Sequence, residues 1–434
     1  MNFGYEGTSG VDKKTIAPIA EELFSYIDEI KAAEEKGNYD FPESSVLLLS
    51  DRALFDEAAR AVLGKKTKRL KYVFIIGIGG SSLGAEAFYD AECLFRDRFG
   101  GEGVRLFFID GLEPERTARV EWLTETHIAA PEEFALVIIS KSGTTMETTI
   151  NAGRILSLFL KKFGADTALG RTVAITDRNS ALAQAAAEKK IATLFIPSAV
   201  GGRYSVFSPA GTTPLFFADM DVKSFVESAL YMKNVCLSKD TENNPALVFA
   251  ATLYQLRMER RISIHDLFLF SESLEPLGKW HRQLFAESLG KGENASILPT
   301  VSIGTRDLHS VGQLYFGGRT DFFTTFVSFD DNISEILHAD EVIDFGGAGA
   351  VSRRGEGEVR RAILAGIKET YRKSGKPFVK ISLKNNAELG GFMQFSMLGI
   401  MFLARLFGVN AFDQPAVETY KETARHILES GGQS

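Results

Sequence analysis

The sequence predicts an α/β protein with two doubly wound, mostly parallel α/β sandwich domains, flanked by helices at the N- and C-terminal ends. Three observations lead to this prediction. Continuous apolar runs alternate with helical patterns along most of the chain. Loops rich in glycine, serine and threonine follow two of these runs. The chain has 434 residues, which is more than one ordinary core accommodates.

The first half of the chain shows this alternation most clearly. Apolar residues at three- and four-residue spacing predict helices at 16–33 and 53–64. Continuous apolar runs, typical of buried parallel strands, follow and are separated by helical patterns. The predicted strands are 72–76, 104–109, 136–139, 172–175 and 193–196, and the helices between them are 85–95, 116–126, 146–163 and 180–189. Ligands of such a unit should lie at the carboxyl ends of its strands.

A second alternation follows a more polar segment at 223–243. Its predicted strands are 267–270, 300–304, 322–329 and 378–383; its helices are 246–260, one from 280 that ends at Gly290, 307–315 and 358–374, and the closing helices are 389–407 and 417–428. We expect the glycine-rich segment 344–358 to be mobile. The predicted organisation is N-terminal helices (1–65), a first domain (66–222), a connector (223–245), a second domain (246–410) and a C-terminal helix (411–434) that packs back on the ligand site.

Composition and charge exclude several classes of protein. The net charge is −7, with no dominant basic patch, which argues against a nucleic-acid partner. Cys93 and Cys236 lie far apart without metal-ligand spacing and fit a reducing, cytoplasmic location. The N-terminus lacks a basic segment followed by an apolar run, so we expect no export signal. No uninterrupted apolar run is long enough to span a bilayer, so we expect no membrane association.

Two loops indicate a site for an anion. Gly77–Gly84 follows the strand 72–76 and resembles a dinucleotide fingerprint, but that fingerprint requires Gly where this chain has Ser82. The second loop, Ser140–Thr145, places several hydroxyl groups before a helix N-terminus. Together with Ser81 and Ser82, these hydroxyls suit a phosphate monoester. The alternative interpretation is two polar loops with ordinary helix caps.

The predicted helix that ends at Gly290 carries a candidate base. Gln283 and Glu287 are four residues apart and share a face with Trp280 and Leu284. A carboxylate on an otherwise apolar face is costly to bury unless it is paired or used. Burial would favour a general base, because it raises the pKa of a carboxyl group. The alternative is a solvated glutamate on a surface helix.

Three further residues are each unremarkable when taken alone. Arg203 lies among glycines in the segment 201–211, which would allow a tight fold that directs the guanidinium inward. His309 stands near a predicted helix start, and Lys421 lies on an amphipathic helix. A surface loop, a capping histidine and a surface lysine are the ordinary interpretations of the three.

Taken together, these segments resemble the phosphoglucose isomerase (glucose-6-phosphate isomerase) family over about residues 70–425. The segment Gly201–Gly211 is similar to the first signature of that family, and the segment from Phe412 to Lys421 is similar to the second. One departure is Ala416, where family members usually carry glycine; it would add a methyl group beside the site.

The resemblance implies two sugar-isomerase (SIS) domains and reversible isomerisation of glucose 6-phosphate to fructose 6-phosphate, without a metal or organic cofactor. It implies that Glu287 transfers a proton between C2 and C1 through a cis-enediol intermediate, and that Arg203 stabilises the negative charge. His309 and Lys421 would open the sugar ring. The implied substrate-binding residues are Gly80, Ser81, Ser140, Lys141, Ser142, Thr145, Gln283 and Gln414. The resemblance further implies a homodimer in which His309 reaches the site of the partner.

Two alternative functions remain open at this point. A bifunctional isomerase would also accept mannose 6-phosphate, which differs from glucose 6-phosphate only in configuration at C2. A regulatory sugar-phosphate sensor built on SIS domains would bind the sugar without chemistry. Such a sensor would need the serine- and threonine-rich loop but would have no reason to keep Glu287, Arg203, His309 and Lys421 together.

Overall fold

The computed structural model describes residues 1–330 and 354–430, which form two five-stranded sheets with helices packed around them. The strands are β1 (Asn2–Gly4), β2 (Tyr72–Ile76), β3 (Arg105–Ile109), β4 (Phe134–Ile139), β5 (Thr172–Thr176), β6 (Ala192–Phe195), β7 (Ile264–Leu269), β8 (Leu298–Ile303), β9 (Phe322–Phe329) and β10 (Phe378–Leu383). All nine predicted strands are confirmed to within a few residues, and β1 is additional to them.

The helices occupy the predicted positions in most cases. They are α1 (Lys13–Glu21), α2 (Phe24–Glu35), α3 (Arg52–Leu63), α4 (Leu83–Arg98), α5 (Pro114–His127), α6 (Met146–Phe163), α7 (Ala165–Gly170), α8 (Ala181–Glu188), α9 (Pro209–Phe217), α10 (Val222–Cys236), α11 (Pro245–Arg260), α12 (Glu275–Leu289), α13 (Gly292–Ala295), α14 (Gly312–Gly317), α15 (Glu356–Lys373), α16 (Glu388–Phe407) and α17 (Pro415–Glu429).

The first sheet has the strand order β3-β2-β4-β5-β6, and all of its strands are parallel. β2 and β4 are completely or almost completely buried, as their continuous apolar sequences predict. The strand order reverses between β2 and β4. In sheets of this kind, the loops after the two strands at such a reversal form the ligand crevice.

The second sheet repeats this arrangement. Its order is β1-β10-β9-β7-β8, so β8, β7, β9 and β10 follow one another as β3, β2, β4 and β5 do in the first sheet. These four strands are parallel, whereas β1 pairs antiparallel with β10 and takes the place that β6 has in the first sheet. The predicted class, two doubly wound and mostly parallel α/β sheets, is confirmed.

Two local predictions were wrong, and a third concerns residues that lie mostly outside the described part of the chain. The predicted helix 16–33 is interrupted at Glu22 and Leu23, where Leu23 N–H bonds to the Ala20 carbonyl and tightens the turn between α1 and α2. The predicted helix 307–315 is a short 3-10 turn followed by α14. The glycine-rich segment 344–358 lies, up to residue 353, outside the described residues.

Two segments for which no helix was predicted are helical. The polar segment 223–243 is mostly α10, whose inner face packs against α16 and buries Phe225 and Met232. Residues 209–217, of which only 209–211 belong to the glycine-containing segment 201–211, form α9 because Ser208 caps its N-terminus and Pro209 occupies its first turn.

Two helices connect the halves of the molecule. By length and composition alone, α16 is apolar enough to cross a membrane. In the structure, however, 89% of its most apolar stretch is buried inside the protein, where α16 packs against α10, α11 and α12 as a core helix does. α12 packs against α4 of the first half and against β7 and β8 of the second. A single apolar cluster therefore includes residues of both sheets.

A pair of histidines is buried beneath the second sheet. The rings of His265 on β7 and His281 on α12 lie 5.5 Å apart, among phenylalanine rings. Neither ring nitrogen of His281 has a hydrogen-bond partner within residues 1–330 and 354–430. Burial lowers the pKa of His281 to about 4 and holds the pKa of His265 well below its usual range. Asp266 follows His265 in the strand but faces the opposite side, where burial raises its pKa to about 6.

We expect His281 to make the protein less stable in acid. The folded protein holds His281 in its neutral form, whereas the unfolded chain protonates it at the ordinary pKa. The contribution of His281 to the free energy of unfolding is therefore fully present above pH 6.5 and is lost as the pH falls towards 4. Between pH 6.5 and 5 the loss from one such group is about 2 kcal/mol. His281→Phe should remove that loss, while Asp266, with its opposite pH dependence, affects parent and variant alike. Urea unfolding at pH 5 and 7.5 tests this, with the exposed His426→Gln as control. Equal pH dependence in parent and His281→Phe would contradict it.

Candidate active site

A cavity of about 610 Å³ lies at the carboxyl ends of β2, β4, β5 and β6. The loops after these strands form one side, and α12 and α17 contribute the others. Ten of the twelve residues predicted for the site line this cavity: Gly80, Ser81, Lys141, Ser142, Thr145, Arg203, Gln283, Glu287, Gln414 and Lys421. Ser140 and His309 do not line it.

The loop after β4 has the form of an anion site. Gly143 adopts a positive φ of 69°, and a Cβ there would lie 2.5 Å from the Leu182 nitrogen, so the turn requires glycine. α6 begins directly after Thr145, and no side chain in the described residues caps its N-terminus. Its first N–H groups and the hydroxyls of Ser142 and Thr145 therefore face the cavity as potential donors.

Ser140 supports this loop from below. It is buried, its Oγ accepts a hydrogen bond from Gly143 N–H at 3.1 Å, and it donates to Thr145 Oγ1 at 3.3 Å. Lys141 is half-buried at the cavity; burial lowers its pKa, and the charge of Asp177 opposes this shift.

The glycines after β2 serve close backbone packing. A Cβ on Gly80 would lie 2.2 Å from the carbonyl group of Gly202, so the loop after β2 closes directly against the turn that carries Arg203. Gly79 has a positive φ of 59° and lies against the Gln283 side chain. These contacts explain why glycines stand in this loop, so a dinucleotide ligand is not needed to explain them.

Arg203 is the most highly connected side chain in the cavity. It is 3% exposed, and each of its five N–H groups can be assigned to a protein acceptor. Nε donates to Ser288 Oγ at 2.9 Å. Nη1 donates to Glu287 Oε2 at 3.0 Å and to Gln414 Oε1 at 2.9 Å. Nη2 donates to the carbonyl oxygens of Ala411 at 2.7 Å and Asp413 at 3.0 Å.

Glu287 is held at both carboxylate oxygens. Arg203 binds Oε2, and Gln283 Nε2 donates to Oε1 at 3.0 Å. The side chain remains 29% exposed towards the cavity. Gln283 Oε1 is buried and has no partner in the described part of the chain. The arrangement is a carboxylate of fixed orientation that a ligand can still reach.

Lys421 lies on α17 at the cavity, where its Nζ contacts Glu418 Oε1 at 2.8 Å. α17 buries none of its residues, and the segment that precedes it is tied down through Arg203 and through Lys291, which pairs with Asp413. Ala416 is exposed in the first turn of α17 and does not line the cavity. His309 is exposed in the 3-10 turn after β8.

Sequence reasoning missed several residues of the site. Asp177 and Asn179 line the cavity after β5, and the rule that ligands lie at strand carboxyl ends could have identified them. Arg425 lines it one helical turn after Lys421, which helix periodicity could have indicated. Within the described residues, no group of three or more His, Cys, Asp or Glu side chains has a geometry that could hold a metal ion.

A second, more open cavity of about 530 Å³ adjoins the first and shares Gln283 and Glu287 with it. Its rim includes Ile78 and Leu298, which are 38% and 60% exposed. The face of α12 that carries Gln283 and Glu287 can therefore be approached from two sides.

The chain is similar to known proteins in both sequence and structure. The sequence model of the phosphoglucose isomerase family matches residues 52–434. A glucose-6-phosphate isomerase from Methanocaldococcus jannaschii is 32% identical over 361 residues, covering 82% of this chain and 84% of the relative. A hypothetical protein from Thermus thermophilus has a similar structure, with a TM-score of 0.83, 26% identity and coverage of 98% and 99% of the two chains. The structure of a Chlamydia trachomatis glucose-6-phosphate isomerase matches with a TM-score of 0.78, 21% identity and coverage of 100% of this chain and 89% of that one.

Proposed function

We propose that this chain, which belongs to the phosphoglucose isomerase family, interconverts glucose 6-phosphate and fructose 6-phosphate. One observation carries the proposal: the Glu287 carboxylate, held by Arg203 and Gln283, faces the same cavity as the hydroxyl-rich loop before α6. That cavity therefore combines an anchor for a phosphate with a base for the sugar carbons. A coupled assay with both sugar phosphates tests the activity, and mannose 6-phosphate run alongside tests for the bifunctional alternative.

The phosphate group binds at the loop between β4 and α6. Ser142, Thr145 and the first N–H groups of α6 donate to its oxygens, and Ser81 and Lys141 approach from neighbouring loops. The carbon chain then extends towards α12, where Glu287 and Gln283 lie.

We expect Ser142→Ala combined with Thr145→Ala to weaken binding of fructose 6-phosphate by about 1–3 kcal/mol, because hydrogen bonds to a charged group are lost. Isothermal titration calorimetry with fructose 6-phosphate measures the change in affinity. Ser157→Ala is the matched control, since this exposed hydroxyl of α6 bonds only to its own helix, at Gly153 O. Unchanged affinity in the double variant would place the phosphate elsewhere.

Glu287 carries the proton between the two carbons. It removes the proton from C2 of the open aldose and returns it to C1, while a second proton passes from O2 to O1, so that a ketose results. When Glu287 takes the proton it becomes neutral and the substrate becomes a negatively charged enediolate. Arg203 therefore keeps one anionic neighbour throughout, first the carboxylate and then the enediolate. Because its five N–H groups are engaged, one protein acceptor must yield if Arg203 bonds the enediolate directly.

Ring opening requires an acid and a base at O5 and O1, and family resemblance assigns this step to His309 and Lys421. Lys421 is at the cavity, whereas His309 is exposed elsewhere on the same chain. We propose a homodimer in which His309 enters the partner's site through the open cavity beside Glu287. The exposed Ile78 and Leu298 at the rim of that cavity support the proposal, since a second copy would bury them. In this proposal, ring opening and proton transfer use side chains alone, without a metal or organic cofactor. We also propose that the protein works in the cytoplasm.

Mixing two inactive variants tests the shared site. One variant carries Glu287→Gln and the other His309→Ala. A hybrid dimer would hold one site with both defects and one with neither, so each hybrid should recover up to half of the parent activity. Re-association of differently tagged variants, with hybrids identified by mass spectrometry, provides the measurement. Hybrids that form but stay inactive would show that His309 acts within its own chain.

A further inference from the structure

Ser288 lies directly after the base and is fully buried. Its Oγ accepts the hydrogen bond from Arg203 Nε and lies 3.0 Å from the hydroxyl of Tyr204, whose side chain is also completely buried. The Tyr204 hydroxyl in turn lies 3.4 Å from the Ala411 carbonyl oxygen, which also accepts from Arg203 Nη2 at 2.7 Å. Neither Ser288 nor Tyr204 lines the cavity.

The protons of these groups can be assigned in one consistent way. Arg203 Nε can only donate, so Ser288 Oγ accepts from it. The carbonyl of Ala411 can only accept, so the Tyr204 hydroxyl donates to it. Ser288 must then use its own proton to donate to Tyr204. The bonds close a ring that starts and ends on one edge of the Arg203 guanidinium.

This ring of hydrogen bonds fixes the rotation of the Arg203 guanidinium plane. The guanidinium is planar, so holding Nε sets the direction of Nη1 and Nη2. Nη1 is the group that binds Glu287 and Gln414, and Gln414 lies on the segment before the exposed α17. The Nε bond, like the Nη1 bond to Glu287, comes from α12, the helix that carries the base itself.

We propose that Ser288, supported by Tyr204, is a positioning residue that orients Arg203 relative to Glu287 and so sets the rate of proton transfer without touching the substrate. This inference rests on the proposed isomerase function. It predicts an effect on kcat, because the cavity walls that bind the sugar phosphate are untouched by either hydroxyl.

The test compares Ser288→Ala with Tyr204→Phe. Ser288→Ala should lower kcat about 10- to 30-fold with KM changed less than 3-fold, since the lost bond is to a charged group. Tyr204→Phe should have a smaller effect, and the double variant should match Ser288→Ala alone. In an Arg203→Lys background, which lacks the Nε–H group, Ser288→Ala should have no further effect on kcat. Ser396→Ala is the matched control, because it removes a buried hydroxyl that has no partner among the described residues.

An unchanged kcat in Ser288→Ala, or an equal loss in the Arg203→Lys background, would overturn the proposal. So would a variant that loses stability while kcat stays at the parent value, which marks a purely structural hydroxyl. If Ser288→Ala does not fold, Ser288→Cys keeps the size of the side chain with a poorer acceptor and replaces it in the same comparison.

A second measurement does not depend on activity. Selective ¹⁵N labelling of arginine makes the Arg203 Nε–H signal observable, and Arg203→Lys identifies it by its loss. The signal should exchange slowly in the parent protein and at least 10-fold faster in Ser288→Ala. If the parent fails to isomerise either sugar phosphate, the proposed function is wrong, and the exchange rates still decide whether Ser288 orients Arg203. Equal exchange rates would refute the positioning role in either case.

Discussion

Glu287→Gln should lower kcat by roughly 10²–10⁴-fold in both directions, the usual contribution of a general base. The change removes the carboxylate that we propose as the base and preserves its surroundings. The new amide oxygen can accept from Arg203 Nη1, and Gln283 can turn its amide so that Oε1, which has no partner within residues 1–330 and 354–430, accepts from the new NH₂ group. Affinity for fructose 6-phosphate should therefore change little, because the phosphate loop is untouched.

The control for this variant is Glu275→Gln, at the exposed start of the same helix, where the carboxylate pairs with Lys279. It should keep parent activity. Initial rates with each sugar phosphate and a separate binding titration provide the numbers. A Glu287→Gln protein within 10-fold of the parent kcat would mean that another group carries the proton.

Arg203→Lys should lower kcat by roughly 10²–10³-fold, the range found when one preorganised donor to a developing negative charge is removed. A lysine ammonium retains the charge but has three donors in place of five and lacks the planar fork. It cannot hold Glu287, Gln414 and the two carbonyl oxygens of Ala411 and Asp413 at once. The loss should accompany faster amide hydrogen exchange in residues 410–414.

Lys291→Met separates the two roles of Arg203. Lys291 pairs with Asp413 at 2.7 Å and also donates to Asn410 O, so its loss should loosen the same segment without touching Glu287. We expect faster exchange there and a much smaller loss of kcat than in Arg203→Lys. If both variants lose activity equally, the main role of Arg203 is to tie down the C-terminal segment. Full activity in Arg203→Lys would contradict both roles.

The parts of the fold that the sequence predicted are those in which local pattern and tertiary structure agree. The strand at 134–139 and the helix Met146–Phe163 follow directly from an apolar run and an amphipathic repeat. α9 was missed because Pro209, Gly211 and Pro214 have low helix propensity. The cap at Ser208 and the burial of the helix stabilise it nevertheless. β1 was missed because three residues carry no periodicity, and its pairing with β10 depends on residues almost 380 positions away.

The residues of the site also include some that the sequence predicts and others that it does not. Sequence patterns and family resemblance named ten of the residues that line the cavity, because loops at strand ends and one face of a helix can be identified from spacing. Ser288 was missed because its neighbour in sequence, Glu287, faces the cavity, whereas Ser288 turns towards Arg203 and Tyr204. Which side chain meets which across the core depends on how α12 packs, and no local pattern encodes that.

The pairing of β1 with β10 has a consequence for biosynthesis. Residues 2–4 are synthesised long before their partners at 380–382. At about 5–20 residues per second, the N-terminal strand waits roughly 20–75 s for its partner. The all-parallel first sheet is complete in sequence by residue 195 and can form during translation, whereas the second sheet cannot close until residues 378–383 have been made. A nascent chain stalled near residue 330 would therefore present an unpaired strand and the uncovered edge of β9 to its neighbours.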